Sequence, residues 1–301
     1  MIHLTDGEFL PIQPLYKGFI MLPSNLLGVI LALTSAVLWG SGDFSGGQAA
    51  RKSHQYQVLL LAALSGAVVL IFCVVLWGEG LPSPSSFFWG ILAGSSGALG
   101  MAALYHALSM GNTASVAPTS AIICAALPVL VGTFTTGLPK ATQLGGFILA
   151  FIGIWLLSKS PSAGEKTFKE GMLLAFLSGI GFGGFFIFIA QVDKGQVFSP
   201  ILVARSVTLC IAFLMLKLRR IPIPALTSNP TAILAGVLDT GGNVFYLLAT
   251  QFTRLDVAAV LASLYPAGTV FLATIILKEK VCLAQWTGVC LCLMAVVLIT
   301  I

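Results

Sequence analysis

Charge is what this chain has least of. Only 8% of its 301 residues are Asp, Glu, Lys or Arg, whereas 57% are hydrophobic. A soluble domain carries roughly a quarter charged residues, because charge keeps its surface in water. A chain so short of charge cannot cover a soluble surface, so most of its outside must face lipid. The other absences narrow the function. The six cysteines, at 73, 124, 210, 282, 290 and 292, show no paired spacing for a metal, and five lie inside apolar runs as small packing residues. No lysine-bearing phosphate loop and no polar domain exist to hold ATP, so primary pumping and an ATPase partner are not implied. No Ser/His/Asp or His-Glu-x-x-His constellation appears, so the chain does not read as an enzyme. No cofactor is expected. The net charge of +5 is spread over loops, which argues against nucleic acid as a partner.

What the chain does have is apolar runs. A helix needs about 20 mostly apolar residues to cross about 30 Å of hydrocarbon. The runs are continuous in polarity, not alternating, which excludes membrane strands. Short polar or Gly/Pro breaks divide them into spans near 26–44, 56–77, 87–109, 113–136, 142–158, 171–191, 199–217, 231–251, 256–277 and 283–301. The expected class is an all-α polytopic membrane protein with ten transmembrane helices. Residues 1–25 are broken by three prolines and have no long apolar core, so they read as an interfacial tail. Residues 159–170, rich in Ser, Lys and Glu, read as a linker at the middle of the chain.

The tetrapeptide "ILAG" stands at 91–94 and again at 233–236, a shift of 142. Alone it would mean little. At a shift of 143, Gly28, Leu31, Ala32, Ser35 and Gly40 meet Gly171, Leu174, Ala175, Ser178 and Gly183. "SVA" at Ser115 meets "DVA" at Asp256, and "QLGG" at Gln143 meets "QWTG" at Gln285. Four matches in order at nearly one shift indicate a duplication, with repeats at 26–158 and 171–301. Five helices per repeat is an odd number, so the second copy enters the bilayer from the opposite side. Inverted repeats are a recurring construction of secondary transporters. Duplication can also simply enlarge a structural or sensory membrane protein with no transport cycle, and that alternative stays open. Loop Lys and Arg favour both termini outside.

The stretches "LWGSGDFSGG" (38–47), "ALYHALSMGNTASVAPTSA" (103–121) and "VLASLYPAGTVFLATIILKEKVCLAQWTG" (260–288) resemble the EamA branch of the drug/metabolite transporter superfamily. Pro266, Glu279, Gln285 and Gly288 fall where that family has Pro, Glu and Gln-x-x-Gly. The chain departs at Lys278, where the family commonly has Gly, and at Gly137, where its first repeat usually has Glu. The resemblance implies an exporter or exchanger of a small organic metabolite or drug-like solute. The implied partners are the lipid bilayer, a small-molecule solute and protons, in the bacterial cytoplasmic membrane.

Ionisable groups inside a bilayer are costly and are functional candidates by default. Three qualify. Arg205 lies early in the seventh helix and either snorkels to a headgroup or pairs with Asp239. Asp239 sits near the centre of the eighth, with Asn243 and Tyr246 on the same face at i+4 and i+7. Asp43 closes the first helix in a glycine-rich stretch, where it either caps the helix or binds a cation or proton. Tyr105, at the end of the third helix, and Tyr265, beside Pro266 in the ninth, complete the candidate substrate site. Proton coupling needs a group that changes charge within the membrane, and only Asp43 and Asp239 approach the interior. Asp239, the deeper, is the expected coupling residue.

Overall fold

The computed structural model describes residues 23–109, 113–157, 165–276 and 282–300, and every regular element among them is helical. The helices are α1 (Ser24–Ala50), α2 (Gln55–Trp77), α3 (Pro84–Ser109), α4 (Thr113–Thr136), α5 (Ala141–Leu157), α6 (Glu165–Ile189), α7 (Phe198–Leu218), α8 (Pro230–Phe252), α9 (Leu255–Ala262), α10 (Tyr265–Ile276) and α11 (Leu283–Thr300). α9 and α10 form one span broken at Ser263–Leu264, which gives ten rods. Eight rods are long and apolar enough to cross a bilayer, and α5 and α11 are shorter. The break precedes Pro266, which has no N–H to offer the ladder and would crowd the carbonyl of Ala262. Residues 1–22 of the tail, 159–164 of the linker, the Gly111–Asn112 turn and the Lys278–Glu279 pair lie outside the described residues. The rest of the linker, from Glu165 on, is already helical.

The packing exchanges when the halves are swapped. α1 lies along α8 as α6 lies along α3, and α4 packs on α6 as the broken α9–α10 span packs on α1. α3 meets α7 as α8 meets α2, while α2–α7 and α5–α11 pair each helix with its own counterpart. Nearly every large contact therefore joins one half to the other.

The first helix corrects the sequence reading. It does not end near residue 44 but runs through the glycines to Ala50, 27 residues in all. In hydrocarbon no water is present to take up freed backbone groups, so a helix stays hydrogen-bonded through glycine. The glycines are points of close approach instead. A Cβ on Gly40 would collide with the Tyr265 carbonyl oxygen on α10, and one on Gly46 would stand 2.5 Å from the Tyr105 hydroxyl on α3. Asp43 is thus an interior residue of α1, not its cap.

One acid ties the halves at a helix end. α2 stops at Gly78, whose φ of 63° is the left-handed conformation that glycine adopts without strain. The chain then turns the Glu79 carboxylate onto the start of α7. There it accepts from the backbone N–H groups of Val197 (3.1 Å), Phe198 (3.0 Å) and Ser199 (2.8 Å) and from the Ser199 hydroxyl (2.7 Å). α7 has no capping side chain of its own. Glu79 supplies the cap from another helix and sits at the positive end of the α7 dipole. Orphaned donors cost about 1–3 kcal/mol each where water cannot replace the acceptor. Glu79→Ala is therefore expected to lower stability in detergent by about 2 kcal/mol, with Glu79→Gln losing less. Equal melting of all three proteins would show that the cap contributes nothing.

Candidate functional site

Four helices meet around a cavity near the middle of the bundle, and each turns an i, i+4 pair toward it. α1 contributes Trp39 and Asp43, α3 Gly97 and Met101, α6 Phe182 and Phe186, and α8 Asp239 and Asn243. Arg205 and Thr208 reach in from α7, Leu59 from α2, Cys124 from α4 and Tyr265 from α10. The space open to the centres of water molecules is about 70 Å³. That is several times the volume one buried water needs.

The polar groups are joined in a row. Arg205 forms an ion pair with Asp239, and both are largely withdrawn from solvent. The Asn243 amide donates to the same Asp239 oxygen at 3.4 Å, and the Trp39 indole N–H donates to the Asn243 carbonyl oxygen at 3.2 Å. Ser35, one turn before Trp39, donates to the Gly242 carbonyl at 2.8 Å and fixes α1 against α8. Of the two fates open to Arg205, the side chain takes the inward one. Its exposure is 6%, and its charge is spent on Asp239.

Asp43 stands differently. It is half-buried, lines the cavity, and makes no hydrogen bond or ion pair with any described residue. An unpaired carboxylate at membrane depth is costly on insertion, roughly 2.5–3.5 kcal/mol for Asp at a helix centre. No described residue relieves that cost by pairing with it.

The remaining candidates divide. Tyr265 lines the cavity; its hydroxyl faces Ser120 without a well-formed hydrogen bond. Tyr246 does not point into the cavity as its spacing from Asp239 suggested. It is fully buried behind the wall, 4.3 Å from Phe186 between ring centroids, and its hydroxyl donates to the Phe186 carbonyl at 3.3 Å. Seven residues on a helix return to nearly the same face but a full two turns away, where the cavity has closed. Tyr105 is likewise buried, packed against Gly46 beside the cavity and not lining it. Trp39, Phe182, Phe186 and Met101 were missed by sequence reasoning. Their i, i+4 spacing was the available signal, but apolar pairs at that spacing occur on every lipid-facing helix.

Residues 169–301 match the model of the EamA-like transporter family. That match covers most of the second half of the chain. A solved crystal structure shares the fold with a TM-score of 0.70 at 16% sequence identity, over 90% of this chain and 95% of its own. No curated protein matches the chain in sequence. The matched half carries Arg205, Asp239, Asn243 and Tyr265, and the other half supplies Trp39 and Asp43. The cavity is therefore composite, walled by both halves.

Proposed function

We propose that this protein is a secondary transporter that exports or exchanges a small organic solute by alternating access. In this reading the repeats 26–158 and 171–301, joined by 159–170, interleave around the central cavity, and bundles that each draw helices from both repeats, α1 with α8 and α3 with α6, rock against each other with both termini outside. The observation that carries the reading is Asp43: an acid without a partner among the described residues, facing a cavity between two exchangeable halves. A bundle that served only as scaffold would have packed that space shut.

The ends of the α2–α7 pair are tied unequally, which fits a gate. At one end Glu79 takes up four donors of α7. At the other, a single bond runs from the Gln57 amide to the Pro222 carbonyl at 2.9 Å. In this reading the tightly tied end is the closed one, and opening it requires Glu79 to release α7.

The test is uptake by purified protein in proteoliposomes, screened over amino acids, nucleosides and organic cations with and without a pH gradient. Accumulation of at least one solute above protein-free vesicles is expected, with a rate that changes with the gradient. Failure of every class, with correctly inserted protein, would return the chain to a structural or sensory role.

A further inference from the structure

The exchange that relates the helices does not relate the walls of the cavity. A shift of 143 carries Trp39 and Asp43 of α1 onto Phe182 and Phe186 of α6. A shift of 142 carries Gly97 and Met101 of α3 onto Asp239 and Asn243 of α8, and Ala63 of α2 onto Arg205 of α7. All four pairs on α1, α3, α6 and α8 line the cavity. Duplication placed equivalent residues on opposite sides of one space, and divergence then made them unlike. α1 and α8, which pack together, hold both acids, the amide and the indole N–H. α3 and α6, which also pack together, present a thioether, three phenyl rings and two glycines.

The space thus has a polar side and an apolar side. The polar side carries two carboxylates against one guanidinium. Arg205 neutralises Asp239, so the acid left without a partner among the described residues is Asp43, whose ionised form carries the unmatched charge. A ligand that satisfies both sides at once brings one positive charge to Asp43 and an apolar body to Phe182, Phe186 and Met101. An anion would meet Asp43 unshielded, and a uniformly polar cation would leave the phenyl wall wet. We infer that the solute is a small amphipathic organic cation, oriented with its charge toward α1 and α8 and its apolar part toward α3 and α6. The inference rests on the transporter reading of the same cavity and names its substrate class.

The experiment is equilibrium dialysis of purified full-length protein with radiolabelled probes: benzyltrimethylammonium, tetramethylammonium and phenylacetate. Benzyltrimethylammonium is expected to bind at least tenfold more tightly than either of the others. Asp43→Asn is expected to weaken it at least tenfold. Met101→Gln, which puts an amide into the apolar wall, should weaken benzyltrimethylammonium severalfold and leave tetramethylammonium unchanged. The Met101 variant keeps the test open if the Asp43 variant fails to fold. Phenylacetate binding as tightly as the cation, equal binding of both cations, or no binding of benzyltrimethylammonium overturns the inference. Uptake of some other solute by the same protein in vesicles would then leave the transporter reading standing and remove only the substrate class.

Discussion

Asp43→Asn is expected to leave the protein folded and inserted while uptake falls at least tenfold and loses its response to a pH gradient. Asparagine keeps the shape of the side chain and removes its ability to gain or lose a proton. Because no described residue bonds to Asp43, the substitution orphans no partner, so the fold should not suffer for it. Removing one member of a satisfied pair is what usually makes a polar substitution expensive. The same exchange at Asp239 differs, since Arg205 and Asn243 both bond to that carboxylate. Uptake by the Asp43 variant with an unchanged pH dependence would remove Asp43 as the coupling group. Retained coupling in Asp43→Asn with loss in Asp239→Asn would return the role to the deeper acid.

Arg205→Met is expected to destabilise the protein by about 3–5 kcal/mol, the usual cost of leaving one charge of a buried pair uncompensated. The bridge itself is weak evidence of net stability, because taking both charges out of water costs about as much as their attraction returns. The double variant Arg205→Met with Asp239→Leu should therefore recover most of the loss, since neither charge then remains buried. Unfolding in detergent micelles, followed by circular dichroism for the wild type, both single variants and the double, measures the coupling directly. If the double variant is as unstable as the singles added together, the two side chains act independently and the pair does not hold α7 against α8.

Which parts of this molecule could be read from its letters follows from range. Span bounds were legible within a few residues for nearly every helix, because hydropathy is local and the bilayer fixes length. The duplication is read from small residues that recur at nearly one shift, and the exchange of helix contacts between the halves agrees with it. The end of α1 was misjudged because glycine signals a break in water and a contact in lipid, and only the neighbours decide which. That single misreading moved Asp43 from a helix end into the cavity. Tyr246 was misplaced because sharing a face with Asp239 says nothing of depth along the axis. Glu79 was passed over entirely: its donors lie 118 to 120 residues away, and no local pattern announces a cap borrowed from another helix. The Arg205–Asp239 pair was legible as one of two alternatives, and burial decided between them.

The interleaved packing has a consequence for how the chain is made. α1 rests on α8 and α3 on α6, so the first five helices leave the ribosome before their principal neighbours exist. Until α6 to α8 follow, the glycine faces of α1 and α3 have only lipid or insertion machinery to lie against, and Glu79 waits for the donors of α7. A ribosome that has finished residue 158 has therefore released half the mass of the protein but almost none of its tertiary structure. Assembly belongs to the second half of translation. A fragment ending at the linker would be held in the membrane by hydropathy alone, which makes it a natural target for the proteases that clear incomplete membrane proteins.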